Sequence, residues 1–541
     1  MNNDIKITLV TAITILTASC TNLEVDVKSK YTAYPAESEV ALEAKMADVY
    51  YAFRDALGNK YNRVQTFSSD EAAGLSFNGD YYDGAENVNP TLHNFKAEDS
   101  PAGYWADLSS GITRCNKVID ELGENTDNLT LSCIASARAM RAFYHFILMD
   151  SYGDTPILAK LYNEDEAIER SPRKEVAGFI EKELLESLPY LSKENNAATY
   201  GKPNKWMAEA LLVKLYINWG VYTCGDIASY DAASTANGKL NDCVKYCDEI
   251  IGCGIFNLND AYRSKFMYDN GVHIADFIYA MPYDRVNAQG MYYGRYRTFR
   301  RIDDGVPTGY YGGKMVQSCA GIMGMNPEFA GLFSLEGDER NAAVLGGKVF
   351  VHNLAGEATT EPYIYNGGQL EFTKSITLVA GGEEQLNAGA DPDGWRQGYR
   401  SIKFYPNVNE YSQYSRNQSN DVPIFRFADV VLTKAEAILR GATATNGDTP
   451  QSLFNQIRNY VHAPSLGHAP SLQELLDERG REFFDENWRR NDMIRFGTFE
   501  SEYGFHKRGF SNANFDKSRR ILPVPQGVLN ENTNWKQNPG Y

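Results

Sequence analysis

The feature that most constrains the fold is a stripe of apolar and small residues that recurs at helical spacing in two separate parts of the chain. In residues 137–150, Ala139, Ala142, Phe143 and Phe146 lie three and four positions apart, which is the period of one helix face. Five further segments repeat the period: 205–219, 242–251, 427–438, 454–461 and 472–484. Both ends of the mature chain are therefore predicted to be helical.

Small residues on these stripes indicate how the helices pack. Alanine recurs on them, for example at Ala139 and Ala435, and it lets helix axes approach closely, as stacked helical hairpins of the tetratricopeptide type require. Each such hairpin needs a neighbour to bury its second face. Residues 261–421 are different, because Gly, Tyr, Asn and Asp dominate there, and the short apolar runs 277–280 and 376–380 are typical of strand pairs or loop anchors. The predicted fold is mainly α: a tetratricopeptide-like helical-hairpin scaffold with a long, irregular, loop-rich insertion that contains short strands.

The N-terminus has the layout of a secretory signal. The apolar run 7–18 carries no charge and is too short to span a bilayer as a helix, which needs about 20 apolar residues. It leads into the sequence LTASC, which is similar to a bacterial lipobox, although Leu16 stands one position further from Cys20 than is usual. We expect residues 1–19 to be removed and Cys20 to carry acyl chains that anchor the protein. An ordinary signal followed by an incidental cysteine is the alternative.

Charge and cysteine content exclude several classes of protein. The 541 residues include 53 basic and 70 acidic side chains, for a net charge of −17, so no basic face for nucleic acid dominates. Seven cysteines remain after Cys20, so at least one thiol has no disulfide partner within the chain. There is no CxxC pair and the histidines are scattered, which argues against a zinc site. The sequence also lacks HExxH, GxSxG and a phosphate-binding glycine loop.

Six segments, in order along the chain, carry a resemblance to a known family. Their clearest motifs are YGDTP at the end of the first helical stripe, RFADVVLTKAEAIL, and DERGREFFDENWRRNDMIRFG. Together with the lipobox, they resemble the SusD/RagB family of outer-membrane lipoproteins from Bacteroidetes-type bacteria. Tyr460 and His462 stand where relatives often have an Arg-Ala pair, a difference that concerns packing. The segments are 137–156, 255–284, 423–439, 455–463, 474–497 and 521–541.

The resemblance implies a non-catalytic lipoprotein of the outer membrane that faces the cell exterior. It would bind an oligosaccharide or polysaccharide and deliver it to a partner SusC-like TonB-dependent transporter. A structural lid of that transporter, with no glycan site of its own, is the alternative. A glycoside hydrolase would need two carboxylates about 5–9 Å apart, and among the 70 acidic residues no local signature marks such a pair.

The resemblance also divides the chain into regions. Residues 1–19 would form the signal peptide, residues 20–260 an N-terminal helical region with the first hairpins, and residues 261–541 a C-terminal region. Within the last, 261–421 is the loop-rich insertion, and 422–541 holds the last hairpin and the C-terminal helices. No cofactor, metal or nucleic-acid partner is expected, and bound calcium in the acidic loops is left open.

Aromatic residues in loops are the candidates for glycan binding, because sugar rings lay their flat C–H faces on aromatic side chains. The chain offers many, with 35 tyrosines. Loop packing, or contact with the transporter, is the alternative for each of them. The candidates fall in the loop 70–89, between residues 279 and 311, and near residue 395: Tyr81 and Tyr82; Tyr283, Tyr292, Tyr293, Tyr296 and Arg297; and Trp395.

Arginines crowd one of these groups. In the sequence YGRYRTFRR, a strand would place Arg295 and Arg297 on one side and Tyr296 on the other. With Arg300 and Arg301 close by, the pattern gives the hypothesis of a ligand that carries carboxylate or sulfate groups. Pairing of these arginines with nearby acidic residues is the alternative.

Other charged and aromatic motifs are interpreted as structure. Arginines and acids three and four positions apart in DERGREFFDENWRRNDMIR suit a helix laced by ion pairs. Phe483 and Trp488 among them indicate a buried seam and not an active site. The Arg-x-x-Asp pair that begins at Arg426 is predicted to tie the last hairpin to its neighbours, and Trp105 and Trp206 are predicted to lie in the core.

Overall fold

Helices form most of the regular structure. The computed structural model describes residues 39–99, 103–123, 125–163, 165–297, 309–313, 319–390, 392–505 and 514–541. The chain divides into two units, residues 1–45 and 46–541. Cys20 and the predicted signal lie outside the described residues, and the architecture below is that of residues 46–541.

The helices are longest in the two regions where helical stripes are found in the sequence. A π-helical turn, Leu57–Tyr61, lies between the second and third of them. In chain order the α-helices are α1 (Glu39–Tyr50), α2 (Arg54–Ala56), α3 (Asn62–Phe67), α4 (Val88–Thr91), α5 (Trp105–Leu122), α6 (Asn128–Tyr152), α7 (Arg173–Ser187), α8 (Lys205–Ile217), α9 (Trp219–Thr223), α10 (Leu240–Gly252), α11 (Tyr293–Arg297), α12 (Pro327–Ala330), α13 (Val408–Gln413), α14 (Phe427–Leu439), α15 (Pro450–Tyr460), α16 (Leu472–Phe483), α17 (Arg489–Phe496) and α18 (Gln526–Glu531).

Side-chain caps explain where several of these helices begin. Asp127 accepts a hydrogen bond from the third residue of α6, and Asn204 does the same for α8. Helices α15 and α16 each begin with a reciprocal capping box, built on Thr449 and Ser471. A cap of this kind is worth about 1 kcal/mol, because it satisfies backbone N–H groups that the helix itself leaves without acceptors.

The helices stack in a series that the insertion does not interrupt in space. Helices α5 and α6 form a pair, α7 packs on α6, α8 packs on α7, and α10 packs on α8. Helix α14 then packs against α10, although residues 261–421 separate the two in sequence, and α15 and α16 pack on α14. The predicted mainly helical scaffold with a long insertion is therefore confirmed. Among the described residues, no helix is both long enough and apolar enough to span a membrane.

The strands of the described residues are short and form two-stranded antiparallel pairs. In chain order they are β1 (Ala72–Gly74), β2 (Phe277–Met281), β3 (Met323–Met325), β4 (Val344–Leu345), β5 (Gly347–Lys348), β6 (Phe350–His352), β7 (Ala358–Pro362), β8 (Ile364–Tyr365), β9 (Gly368–Gln369), β10 (Glu371–Phe372), β11 (Arg400–Ser401) and β12 (Val422–Arg426). The pairs are β1 with β3, β2 with β12, β4 with β11, β5 with β10, β6 with β7, and β8 with β9.

The two apolar runs of the insertion adopt different structures. The run 277–280 lies in β2, which pairs with β12 and so joins the start of the insertion to its end. The run 376–380 forms no strand. There Ile376 is buried, and the N–H of Val379 donates to the carbonyl of Asn387 at 3.0 Å, so this run is a loop anchor.

A hydrophobic core joins residues 67–92 to the insertion, and we call it the loop core. Its buried members include Phe77, Tyr296, Tyr310 and Trp395. The loops around it are therefore held by apolar contacts in addition to their short strands. Within the helical part, Trp105 and Trp206 are buried as predicted.

A second buried cluster consists of ion pairs, and we call it the ionic seam. At the N-terminus of α14, Arg426 donates to Glu482 Oε1 at 2.8 Å and to Glu486 Oε2 at 2.7 Å. Arg340, from the insertion, donates to Glu478 Oε1 at 2.7 Å and to Glu482 Oε2 at 3.2 Å. The interpretation of the motif DERGREFFDENWRRNDMIR as a buried seam is confirmed. The members are Lys265, Asp276, Asp338, Arg340, Lys403, Arg426, Arg458, Glu478, Glu482 and Glu486.

The ionic seam continues into the helical stack. Asp429 of α14 binds Lys214 of α8 at 2.6 Å and Arg479 of α16 at 2.8 Å, so the predicted tie between the last hairpin and its neighbours is present. Burial by itself would raise the pKa of Asp276, but the adjacent Lys265 and Arg426 hold that pKa down to about 2. The charged form is therefore the stable one inside the seam.

Candidate functional site

Residues 76–87 form a loop with an unusual backbone, and we call it the tyrosine loop. Asn78, Tyr81, Asp83 and Ala85 all have left-handed φ angles, of 50°, 62°, 47° and 73°. This conformation costs roughly 1–2 kcal/mol for a residue with a side chain. Such strain persists only where the surrounding structure enforces it, and it is concentrated at ligand-binding sites.

The tyrosine loop is enforced from one side by residues 382–388, which we call the facing turn. Ser76 Oγ donates to the carbonyl of Gln385 at 2.8 Å, and the N–H of Asn78 donates to Asn387 Oδ1 at 2.9 Å. Two backbone hydrogen bonds, one in each direction, add to these at Ser76. The loop is therefore built before any ligand arrives.

Two of the predicted aromatic residues lie at the surface of this loop. Tyr81 and Tyr82 are half-buried and pack on the loop core. The side chains of Asn78, Asp80 and Asp83 are exposed beside them. Ring faces next to carboxylate and amide groups are the combination that sugar rings and their hydroxyls require.

A third predicted residue, Tyr292, is also half-buried and packs on the loop core. Its N–H donates to the carbonyl of Gly58 in the π-helical turn at 3.2 Å. A Cβ atom at Gly58 would lie 2.1 Å from the carbonyl oxygen of Gly290, so only glycine permits this approach. The π-helical turn therefore sets the position of Tyr292.

One arginine connects the tyrosine loop to the segment that carries Tyr292. Arg63 of α3 forms an ion pair with Glu86 and donates to Asn87 Oδ1 at 3.1 Å. Its guanidinium carbon also lies 5.0 Å from the centre of the Tyr296 ring, a distance typical of a cation–π contact. Both groups of candidates thus rest on the same short helical segment, residues 54–67.

Two predicted residues, Tyr283 and Tyr293, are buried and serve as supports. The hydroxyl of Tyr283 donates to the carbonyl of Arg54 at 2.6 Å, and that of Tyr293 accepts from Asn487 Nδ2 at 3.1 Å. Their apolar surroundings raise the pKa of both hydroxyls. We withdraw both as glycan contacts, because a buried ring has no free face for a sugar.

The predicted strand around Arg297 is instead the short helix α11, because this segment packs on the loop core through the buried Tyr296. Tyr296 and Arg297 are both buried, so neither is retained as a glycan contact. Arg297 Nε binds Asp485 Oδ1 at 2.7 Å, and its Nη2 donates to Asn62 Oδ1 at 2.8 Å. Arg297 therefore gives no support to the acidic-ligand hypothesis.

The other arginines of this group differ in position. Arg295 is exposed on α11, whereas Arg300 and Arg301 lie outside the described residues. Pairing with an acidic residue, the alternative interpretation, holds for Arg297, although its partner Asp485 is distant in sequence.

Trp395, the remaining candidate, is fully buried in the loop core. Its ring meets Tyr365 and Phe372 edge to face, at centroid distances of 5.2 and 5.9 Å. Its carbonyl accepts a hydrogen bond from Arg400. We withdraw Trp395 as a glycan contact, because it fills the core beneath the surface.

Sequence reasoning missed other half-buried tyrosines around the loop core. Tyr268, Tyr365 and Tyr399 are half-buried and pack on the same loop core. Nothing in the local sequence separates these from the other tyrosines. The facing turn was missed as well, and its only local signal is the run GGEEQLN, which is rich in turn-forming and polar residues.

The surface around the tyrosine loop is acidic. Neither the tyrosine loop nor the facing turn contains a lysine or arginine. Asp83, Glu383 and Glu384 are exposed there, whereas Glu86 is neutralised by Arg63. Across the described part of the chain, no three His, Cys, Asp or Glu side chains converge as a metal site would require.

Comparison with known proteins connects this geometry to a family. A model described as "SusD family" matches residues 363–541, and one described as "Starch-binding associating with outer membrane" matches residues 23–217. The chain belongs to the SusD/RagB family. The starch-binding protein SusD of Bacteroides thetaiotaomicron is 26% identical over 470 residues, which cover 80% of this chain and 77% of that protein.

Solved structures share the SusD/RagB fold. Surface glycan-binding protein A from Bacteroides uniformis matches with a TM-score of 0.71 at 17% identity, covering 93% of this chain and 99% of that one. Surface glycan-binding protein A from Bacteroides thetaiotaomicron, in complex with laminarihexaose, matches with a TM-score of 0.66 at 18% identity, covering 92% and 99%. At these identities the likeness establishes the fold.

Proposed function

We propose that this chain binds an uncharged oligosaccharide or polysaccharide at the tyrosine loop and does not cleave it. The observation that carries the proposal is the strained loop, which holds the half-exposed rings of Tyr81 and Tyr82 beside exposed hydrogen-bonding groups. Tyr292 is also half-buried and packs on the same core. The names of the relatives, which refer to starch and laminarihexaose, support a glycan as the ligand.

The acidic surface supports an uncharged ligand. Carboxylates accept hydrogen bonds from sugar hydroxyls, and they repel uronic acid or sulfate groups. The exposed acids of the tyrosine loop and the facing turn, with no base in either segment, would make a polyanion a poor ligand. This reverses the hypothesis drawn from the arginines of residues 295–301.

The location and partner of the protein are part of the same proposal. We place the chain at the outer membrane, held through acylated Cys20 and facing the exterior, where it passes glycan to a SusC-like TonB-dependent transporter. The family description that mentions association with the outer membrane supports the location. The lipobox-like sequence before Cys20 supports the anchor.

The contacts favour weak capture. Two or three stacked rings contribute about 0.5–1.5 kcal/mol each, and a few hydrogen bonds add about 1 kcal/mol net each. Dissociation constants of about millimolar to micromolar follow. A dense layer of anchored copies compensates, because a polymer can engage several of them at once.

The test is binding of the protein without residues 1–20 to a panel of soluble polysaccharides, including starch, laminarin and their uronic or sulfated counterparts. We expect binding to at least one neutral polymer, no release of shortened products, and no binding to the charged counterparts. Replacing Tyr81, Tyr82 or Tyr292 by alanine should weaken binding by about 2- to 10-fold each, as expected for loss of one stacked ring.

The matched control is Tyr190→Ala, since Tyr190 is an exposed tyrosine on the helical scaffold, 50% accessible and outside the loop core. This variant should bind as the parent does. Failure to bind any member of the panel, while glycan uptake still depends on the protein, would favour the structural lid. Appearance of shortened products would indicate a hydrolase.

A further inference from the structure

A large cavity of the described chain is remote in sequence from the tyrosine loop, and we call it the helix-end cavity. Its volume is about 640 Å³, within the range of pockets that hold small organic ligands. It lies where α6 ends, α7 begins and α9 ends, and the C-terminal segment closes one side. Its lining includes Asp154, Arg173, Cys224, Ile227 and Ile521.

Arg173, the first residue of α7, lines this cavity and is only 4% exposed. Its Nη2 makes two long contacts, 3.6 Å to Cys224 Sγ and 3.4 Å to the carbonyl of Gly225. Among the described residues, neither its Nε nor its Nη1 has a hydrogen-bond acceptor, and no carboxylate lies within ion-pair distance of its guanidinium. A mostly buried cation without a carboxylate partner is costly, and the Nε and Nη1 of Arg173 remain open to the cavity.

The other buried arginines of the described chain differ from Arg173 in their partners. Most of them contact a carboxylate, as Arg426 does in the ionic seam. Two exceptions, Arg400 and Arg490, donate to backbone carbonyls instead. Neither lines the helix-end cavity. Arg173 is thus the buried guanidinium that faces open space and, among the described residues, has no carboxylate within ion-pair distance, although Asp154 and Asp226 line the same cavity.

The surroundings of Arg173 complete an anion site. Lys174 follows it at the positive end of a helix of 15 residues, which favours negative charge. The two acids of the lining are already engaged with backbone N–H groups: Asp154 Oδ1 accepts from Arg173 N, and Asp226 Oδ1 accepts from Ala228 N, each at 2.9 Å. Beyond the charged end, the wall combines the apolar residues Ile227, Ile521 and Pro539 with the polar residues Thr223 and Asn538.

We propose that the helix-end cavity binds a small organic oxyanion. Its carboxylate, sulfate or phosphate group would accept hydrogen bonds from Arg173, and its apolar part would lie against Ile227, Ile521 and Pro539. This site is separate from the glycan surface, since no residue of the tyrosine loop lines it.

Cys224 provides a reporter for this site. It is half-buried in the cavity wall, and Cys253, also half-buried, lies outside the cavity and serves as an internal reference. The rate at which neutral iodoacetamide alkylates each thiol is measured by mass spectrometry, with increasing hexanoate or sulfate at constant ionic strength. We expect hexanoate to slow alkylation of Cys224 at least threefold and saturably, to act at lower concentration than sulfate, and to leave Cys253 unchanged.

Two variants separate binding from structure. Arg173→Gln should abolish the protection by either anion, and it should raise the melting temperature in anion-free buffer because it removes an uncompensated buried charge. Lys182→Gln makes the same change of charge on the exposed face of α7 and should leave both measurements at the parent values.

The outcomes decide the proposal. It is overturned if neither anion protects Cys224, if Arg173→Gln is protected as well as the parent, or if Arg173→Gln lowers the melting temperature and so shows a purely structural role. Equal protection by hexanoate and sulfate would overturn the apolar part of the site. Loss of glycan binding in any of these variants would contradict the separation of the two sites.

Discussion

In the ionic seam every buried charge has an opposite charge beside it, as Glu482 does between Arg340 and Arg426. In the tyrosine loop the side chains of Asn78, Asp80 and Asp83 face water, and the backbone is held in a strained form at Tyr81 and its neighbours. The polar groups of the ionic seam bind one another and so fix one arrangement of helices. The exposed polar groups of the tyrosine loop stay available to a ligand. A strained binding loop thus depends on a rigid region that holds it.

The two regions are joined by specific contacts. Asp70, which precedes β1 and the tyrosine loop, binds Arg489 of α17 at 2.7 Å. Asp485, between α16 and α17, binds Arg297 of α11, the helix that follows Tyr292. Residues 485–489, at the C-terminal end of the ionic seam, therefore hold both sides of the candidate glycan surface.

The largest effect is expected from breaking the ionic seam. Glu482→Gln removes a carboxylate shared by Arg340 and Arg426 and leaves two buried guanidinium groups with less counter-charge. The free energy of unfolding should fall by about 3–5 kcal/mol, as measured by chemical denaturation.

The matched control is Glu186→Gln on α7. Glu186 pairs with Arg138 and Lys182 at the protein surface, with a side chain that is 48% exposed. Surface pairs of this kind contribute less than about 1 kcal/mol. Equal losses of stability in the two variants would show that the buried pairs of the seam have no special role.

A second prediction concerns two buried carboxyls with different neighbours. Asp276 has Lys265 and Arg426 beside it, whereas Asp421 accepts hydrogen bonds from Tyr200 and from the N–H of Tyr283 and, among the described residues, has no basic ion-pair partner. Burial therefore raises the pKa of Asp421 to about 7. Because the folded protein holds the proton more tightly than the unfolded chain, Asp421 contributes stability below about pH 4 that is lost as the pH rises towards 7.

Asp421→Asn tests this reasoning. Relative to the parent, its free energy of unfolding should increase through the window from about pH 4 to 7, and the gain should level off at roughly 4 kcal/mol by pH 8. Denaturation at a series of pH values provides the measurement. A gain that is the same at pH 3 and pH 8 would contradict the assignment.

A third prediction concerns the glycan surface itself. In Gly58→Ala, the new methyl group meets the backbone of Gly290 and must displace the segment that positions Tyr292. Overpacking of this kind costs about 1–3 kcal/mol, and we expect glycan affinity to fall while the helical content by circular dichroism stays the same.

In the control Gly178→Ala, a Cβ atom meets nothing within 4 Å, so binding should be unchanged and stability should rise by up to about 1 kcal/mol. Parent-like affinity in Gly58→Ala would show that Tyr292 is not part of the site.

The smallest effect is expected from the exposed acids. Changing Asp83 to Asn and Glu384 to Gln together should alter affinity for a neutral polymer less than about twofold, because exposed charges contribute little to short-range contacts. The double variant should bind a uronic polymer weakly at low salt. This binding should disappear at high salt, because salt screens exposed charges beyond the Debye length. Strong binding of the uronic polymer by the parent would contradict an uncharged ligand.

The scaffold could be predicted from sequence because its signals are local. The stripe through Ala139 and Phe146 lies in α6, and the capping chemistry that bounds such helices is written within a few residues. The buried seam could be recognised because its acids and arginines alternate with Phe483 and Trp488. These patterns depend on neighbours three and four positions away.

The candidate glycan surface could be predicted only in part. Burial decides which tyrosines are available, and burial depends on distant contacts, such as that of Tyr293 with Asn487 or the position of Trp395 in the loop core. The alternation of residues around Arg297 predicts a strand, whereas the structure has a helix there. Alternation over a few residues suits either structure, and tertiary packing decides which of the two forms.

Hydrogen–deuterium exchange in the presence and absence of a bound neutral oligosaccharide would locate the glycan surface. We expect the ligand to slow exchange in residues 76–87, in the facing turn and around Tyr292, and to leave residues 472–496, which include the acids of the ionic seam, unchanged. Slowed exchange confined to the helical scaffold, with none in the tyrosine loop, would contradict a glycan site at that loop.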